Sequence, residues 1–324
     1  MHSLNKPLIS ILTTSWNRER HLKKLANSLQ NLKYKNFEWI IANDGSKDNT
    51  DLFIRYFSKK VKFKIIYLKS NVRIGKSTMV NKMLNRVSGQ YIIECDSDDY
   101  FLINSLNDLI KLLPKKEIKN FAGICAQNID TDGKSQTFKR KVPKLSGLYK
   151  WEELGSIIDG DATIMVKKKL FKNKRFLEVD FLITESSLLN RVYKNKYFIL
   201  TPKIVKIMDR YSNNSVSFGN KLSYTRGSFY TLIMNETNKV FEKKKFLSKL
   251  ITVINFWRYS LHGDMSFSYS IKKFKPFKKN KLYIFLYFFS VLLFLRDRFL
   301  NKVEKTHVEF EKNKKIVKIK IENL

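Results

Sequence analysis

Residues 91–100, YIIECDSDDY, run from an apolar segment straight into three carboxylates within four positions. The apolar part, YIIEC at 91–95, reads as a buried strand. Carboxylates that close repel one another, and folding needs at most one of them. Asp98 or Asp99 would serve as N-cap of a helix starting near Ile103. The chain holds 63 Lys+Arg and only 29 Asp+Glu, so such a concentration of acids asks for a cation. Mg2+ and Mn2+ take oxygen ligands, commonly one or two carboxylates completed by substrate phosphate oxygens. The cluster is therefore a natural seat for a metal–diphosphate complex.

Upstream of it, strand-like and helix-like patterns alternate. LISILT (8–13), FEWIIAND (37–44) and VKFKIIYL (61–68) read as strands. ERHLKKLANSLQNL (19–32) sets Leu22, Leu25, Ala26, Leu29 and Leu32 on one helical face, TDLFIRYFSKK (50–60) reads as a helix, and GKSTMVNKMLNRVSG (75–89) as a helix stopped by Gly89. This β-α-β-α-β-α-β order predicts an α/β fold with a mainly parallel sheet and right-handed crossovers. In such sheets ligands bind beyond the carboxyl ends of the strands. Strand one ends in TTSWN, strand two in NDGS and strand four in DSDD, all polar. Trp16 could pack against a base, and Asp44 could accept from a base N–H. Singly, Trp16 reads more readily as core and NDGS as a turn. Together at one edge they make a site.

Beyond residue 115 the pattern is mixed: NFAGICAQN (120–128), DATIMV (161–166) and KIVKIMDRY (203–211) read as strands, TESSLLNRVYKN (184–195) as a helix. After about residue 218 the sequence turns to long, Lys-rich helical stretches. We expect two regions, 1–217 catalytic and 218–324 a basic helical extension. Within the latter, residues 282–295 are apolar apart from Ser290 and are flanked by Lys and Arg. As a helix this run spans about 21 Å, short of the ~30 Å hydrocarbon core, so a buried helix, an interfacial segment and a span are all open. The basic flanks favour attachment to an anionic leaflet.

Composition limits the alternatives. With 43% hydrophobic and 14% aromatic residues in 324, the chain is not disordered. A net charge of +34 implies a polyanionic neighbour (nucleic acid, an anionic membrane or phosphorylated substrates), although abundant Lys, Ile, Phe and Asn beside few Gly also fit a genomic base bias. Cys95 and Cys125 sit in apolar segments and read as reduced, buried thiols of a cytosolic protein. The N-terminal apolar run is too short for a signal peptide, so export is not expected.

The run ISILTTSWNRERHLKKLANSLQNLKYKNFEWIIANDGSKDNT, followed by GQYIIECDSDDY, resembles the family 2 glycosyltransferases of the GT-A fold. The likeness covers roughly residues 7 to 215 and lies in a Thr/Ser-aromatic-Asn turn, an Asp-Gly-Ser turn and a Gly-aromatic-apolar run entering Asp-x-Asp-Asp, at fitting spacings. It implies a Rossmann-like domain that transfers a sugar from a nucleotide-sugar donor, a UDP-sugar by the reading of Asp44 with GDP- and dTDP-sugars also open, to a glycan or lipid-linked glycan acceptor. Thr14, Ser15 and Trp16 would border the base, Asp44 would bond uracil, and Arg73 would contact base or phosphate. Asp96 would hold the ribose, and Asp98 with Asp99 would bind Mn2+ or Mg2+. GDATIM (160–165) resembles the segment facing the donor sugar and acceptor, with Asp159 and Asp161 as candidates.

In the same resemblance Glu185 is the catalytic base of an inverting transfer. Many members read Glu-Asp there, whereas this chain reads Glu185-Ser186. Some relatives place a His near MDRYSNNSVS, where this chain has Ser212 and Asn213, and Arg210 is a candidate substitute. The expected location is cytoplasmic, peripherally attached to the inner face of the plasma membrane.

Three other readings fit less well. GKST ends like a phosphate-binding P-loop, but Ser70 stands where that motif needs Gly. No helix-turn-helix, zinc or aromatic RNA-binding signature accompanies the basicity, so no nucleic acid is expected as partner. A sugar nucleotidyltransferase opens with a Gly-rich basic loop, and TTSWNRER contains no Gly.

Overall fold

The computed structural model describes residues 8–138, 140–178, 183–209, 225–237, 241–242, 244–300 and 317–324. The strands are β1 (Ile9–Ser15), β2 (Phe37–Asp44), β3 (Lys64–Ser70), β4 (Tyr91–Glu94), β5 (Asp99–Phe101), β6 (Phe121–Asp130), β7 (Gly147–Lys150), β8 (Thr163–Lys167), β9 (Tyr197–Met208) and β10 (Ile319–Asn323). The helices are α1 (Glu19–Asn31), α2 (Thr50–Ser58), α3 (Lys76–Leu84), α4 (Ser105–Lys111), α5 (Trp151–Leu154), α6 (Ser186–Val192), α7 (Thr225–Thr237), α8 (Phe246–His262), α9 (Phe267–Lys273), α10 (Pro276–Lys279) and α11 (Leu282–Phe299).

One sheet runs β10-β3-β2-β1-β4-β8-β6-β9-β5, with β7 on β9. The block β3-β2-β1-β4 is parallel, as its β-α-β order predicts. Period-2 alternation in these strands sends their side chains into two cores. Ile9, Ile11, Trp39, Ile41 and Ile93 pack with Leu22, Leu25 and Leu29 of α1 and Phe57 of α2. Leu12, Ile40, Ala42, Leu68 and Ile92 pack on the other face with Met79 and Met83 of α3. With both faces covered, all eight residues of β2 are buried. Beyond β4 the sheet turns mixed, because β8 runs antiparallel to both β4 and β6.

Several local expectations change. The helix expected over 75–89 ends at Leu84. Asp99 does not cap a helix: it opens β5, and α4 begins only at Ser105, with Asn104 in the cap position. The strand expected from 203 begins at Tyr197. The last residues are strand, not helix: β10 lies antiparallel on β3, and Leu324 N–H donates to Ile65 C=O at 2.9 Å. Arg55 of α2 clamps Glu322 of β10 through two hydrogen bonds of 3.0 and 2.7 Å. The expected boundary at 217 lies outside the described residues.

A third core holds the C-terminal helices, with Phe229, Phe256, Trp257, Phe274 and Phe277 at its centre. α11 faces α8 through Tyr283, Ser290 and Asp297, spaced every seven residues. Asp297 is wholly buried and accepts two hydrogen bonds from Arg258. The opposite stripe, Phe285, Phe288, Phe289, Leu292, Leu295 and Phe299, is 54–87% exposed. Among the described residues no helix is long and apolar enough to cross a membrane.

Candidate active site

The carboxyl edge of the parallel block is stitched together by its own turns. Asn17, in the left-handed region at φ 49°, donates its N–H to Ser46 Oγ at 2.9 Å and accepts from Lys47 N–H at 2.8 Å. Asn43 Oδ1 accepts from Ser46 N–H at 2.9 Å, and Asp48 from Glu19 N–H at 3.1 Å. Part of the polarity that marks these strand ends therefore serves to fix the loops. Ser15 Oγ differs: it is buried with no hydrogen-bond partner among the described residues, while Thr14 beside it is half-buried.

Asp44 is nearly buried, and its two oxygens accept the Ile74 and Gly75 N–H groups at 2.7 and 2.9 Å. Burial raises its carboxyl's pKa, and these two donors and Arg73 act against that. The bonds anchor the β3–α3 loop, which carries Arg73 and Lys76. Gly45 next to it has φ +71°, and a Cβ there would meet Val72 C at 2.4 Å. Only glycine lets the two loops touch. Arg73 lies over the Trp16 ring, 3.8 Å from its centroid, and Trp16 is 40% exposed.

At the end of β4 the acids separate. Lys76 Nζ lies 3.1 Å from Glu94, 2.8 Å from Asp96 and 2.9 Å from Glu185. The Lys76 ammonium is the main reason Asp96 is held low, at about 2. Burial pushes Glu94 up to about 7, against the pull of Lys76. Lys76 itself is raised well above the usual lysine range: burial works the other way, but three carboxylates outweigh it. Asp98 faces Arg18 at 3.6 Å.

Asp99, expected beside Asp98 as a metal ligand, turns to the buried Lys206 of β9 at 2.6 Å. The physical reason is the change of element: Asp98 lies in the turn after β4, whereas Asp99 opens β5 and pairs there with β9. Among the described residues no three His, Cys, Asp or Glu side chains converge in a group able to hold a metal. Asp98 still offers one carboxylate, and an ion shared with a diphosphate takes only one or two from a protein.

Glu185 stands at the start of α6 with its side chain half exposed. Asp159 accepts from Arg140 Nε at 2.9 Å, while Asp161 is exposed and its C=O accepts from Thr137 Oγ1 at 2.6 Å. Arg210, Ser212 and Asn213 lie outside the described residues.

The sequence of this chain matches the model of "Glycosyl transferase family 2" over residues 10–198, more than half its length. The chain belongs to glycosyltransferase family 2.

The transferase is 29% identical over 218 residues to the GalNAc(5)-diNAcBac-PP-undecaprenol beta-1,3-glucosyltransferase of Campylobacter jejuni, covering 66% of this chain and 68% of that one. It is 28% identical over 214 residues to glycosyltransferase GlyA of Streptococcus pneumoniae, covering 61% of this chain and 29% of that longer one. Among solved structures, it superposes on S. aureus TarS 1-349 in complex with UDP-GlcNAc with a TM-score of 0.56, at 16% identity, over 89% of this chain and 80% of that one. Mannosyltransferase PcManGT from Pyrobaculum calidifontis, in complex with GDP-Man and Mn2+, gives 0.51 at 11% identity, over 91% and 88%. These likenesses fix the fold as GT-A.

Sequence reasoning missed Lys76, Lys206 and Arg18. Lys76 lay in a segment weighed as a P-loop tail and set aside. Its place at the start of a helix that follows a strand on the site edge was the available signal.

Proposed function

We propose that the transferase moves a sugar with inversion from a nucleotide-sugar, a UDP-sugar first among the candidates, to a glycan or lipid-linked glycan in surface polysaccharide synthesis. The observation that carries this is the bridge from Glu185 through Lys76 to Asp96, which ties the proposed base to the proposed donor site. Glu185 takes the proton of the acceptor hydroxyl as its oxygen attacks the anomeric carbon. The bond from that carbon to the phosphate oxygen breaks, and its electron pair leaves with the nucleoside diphosphate. Lys76 and Arg18 put positive charge where the leaving group gains negative charge. Trp16 and Arg73 offer flat faces to the base, with Thr14 and Ser15 at its border. Asp159 and Asp161 belong on this reading to the sugar and acceptor end.

Asp98 would hold Mg2+ or Mn2+, an ion that would supply positive charge against that of the departing diphosphate, and Asp96 would hold the ribose. The relatives agree with the substrate class: one is named for a polyprenol-diphosphate-linked acceptor, and one structure holds UDP-GlcNAc. The exposed Phe/Leu stripe of α11, with Lys281, Arg296 and Arg298 at its ends, fits peripheral attachment to an anionic cytoplasmic leaflet.

The test is a thermal-shift screen of nucleotide-sugars with Mn2+ present. A UDP-sugar should raise the melting temperature, and Asp98→Ala should lose the shift. No response to any nucleotide-sugar, or an equal response in Asp98→Ala, removes the reading. For the membrane, Phe285→Ser/Phe288→Ser/Leu292→Ser should release the protein from phosphatidylglycerol vesicles. Unchanged co-sedimentation would exclude α11 as the contact. Truncation is the poorer tool, because it also strips β10 from the sheet.

A further inference from the structure

On the opposite edge of the sheet from the site, a cavity of about 590 Å³ opens between the start of β4, the end of β8 and the end of α3. Helix α3 connects the two places: Lys76 is in the site and Leu84 lines the cavity, roughly 12 Å along the helix axis. The volume is that of a small-ligand pocket. Its floor is apolar and buried, formed by Leu84, Tyr91, Ile92 and Phe171. Its rim is cationic: Lys167, Lys168, Lys169, Lys172 and Arg175 all line it, and no lining residue is acidic.

Like charges gathered at one concavity raise the free energy of the fold unless something anionic comes to them. Among the described residues, two features leave this charge with little to balance it. Burial, then the neighbouring Lys169, lowers the Lys167 pKa, and only Glu117, outside the lining, acts against this. Among the described residues, the Arg175 guanidinium donates to neutral oxygens: the Phe171 and Lys174 carbonyls at 2.8 and 2.9 Å, and Asn85 Oδ1. These bonds fix its guanidinium in place, as a ready-made anion receptor requires. Exposed Lys168, Lys169 and Lys172 can close over what it binds.

We propose that this cavity binds a phosphate ester carrying an apolar chain, the phosphate on the cationic rim and the start of the chain on the Phe171 floor. A free phosphate would leave that floor in water, and a nucleic-acid backbone would need an extended basic strip instead of a concavity. The proposal is independent of the donor site.

The experiment is calorimetric titration of the full chain with short soluble probes: inorganic phosphate, farnesyl phosphate and dihexanoyl-phosphatidylglycerol, each below its micelle concentration so that α11 meets no bilayer. A tailed phosphate should bind at least about tenfold more tightly than inorganic phosphate. Lys168→Gln/Lys169→Gln/Lys172→Gln should lose about tenfold or more of that affinity. The matched surface variant Lys59→Gln/Lys60→Gln/Lys62→Gln should bind as wild type does. Whichever tailed probe binds more tightly names the source, isoprenoid carrier or membrane phospholipid. Equal affinity for tailed and inorganic phosphate overturns the proposal, as does wild-type affinity in the rim variant. A wild-type far-UV circular dichroism spectrum and melting temperature in the rim variant show that it is folded, and keep this outcome separate from the fate of the donor-site reading.

Discussion

Lys76 Nζ and Glu185 Oε1 stand 2.9 Å apart across 109 residues of chain. The same ammonium touches Asp96, so one cation spans the proposed base and the proposed donor pocket. Removing it should leave three carboxylates facing one another. Lys76→Met should lower kcat/KM by roughly 100-fold, as loss of a preorganised cation does, with Lys76→Arg in between. Steady-state kinetics decide it, and wild-type turnover in the Met variant would rule the role out.

The neighbours Asp98 and Asp99 should separate cleanly. Asp99→Ala leaves Lys206 buried and unpaired from its 2.6 Å partner, which should cost about 3 kcal/mol in a denaturant melt. Asp98→Asn, on a half-buried loop, should change stability by less than about 0.5 kcal/mol and abolish the donor response. Equal denaturation midpoints for the two variants would contradict the division.

Deleting residues 317–324 should uncover the edge of β3 along its whole register with β10. An exposed strand edge invites pairing with another chain. The expected result is a melting point lower by a few degrees and concentration-dependent aggregation. Light scattering during the melt checks it.

The clasp between α8 and α11 should be acid-sensitive. His262 Nε2 lies 3.1 Å from Asp297, and burial, the largest influence, lowers the imidazole's pKa. Burial pushes Asp297 up, but hydrogen bonds from Arg258 and His262 outweigh it and bring its pKa below the usual carboxylate value. Both depressed values act in the same sense. The unfolded chain takes up a proton at histidine as pH falls through about 6.5, and another at aspartate near about 4, before the folded chain does. The clasp's own contribution to stability should therefore be full above about pH 7 and fall in those two windows. His262→Gln should flatten the upper one; an unchanged profile would sever the link.

Gly45→Ala should damage the site from outside it. The added Cβ would strike the Val72 backbone, and the φ of +71° is strained for alanine. The Asp44-anchored loop then moves with Arg73 and Lys76, so nucleotide-sugar affinity should fall at least about tenfold. Titration of donor against intrinsic Trp fluorescence reads this directly.

The parallel half of the fold was legible in sequence because its signals are local. Apolar β-branched runs mark β1 to β4, a stripe at helical spacing marks α1, and polar punctuation marks each strand's carboxyl end. β10 was invisible: KIKIEN alternates like many exposed segments, and nothing local says that it returns to β3. β5 is three residues long, too short for a period to register.

The acids of YIIECDSDDY carry the whole contrast. Their number and their place after a buried strand are properties of the sequence, and with the turns of β1 and β2 they sufficed to name the family and the sheet edge on which we place the site. What each carboxylate does was decided by tertiary structure. Asp96 meets Lys76 from α3, Asp98 meets Arg18 before α1, and Asp99 meets Lys206 from β9. These partners lie 20 to 107 positions away in the chain, and the turn between β4 and β5 comes between the acids. Chain order can gather like charges, but only packing assigns each one its counter-charge.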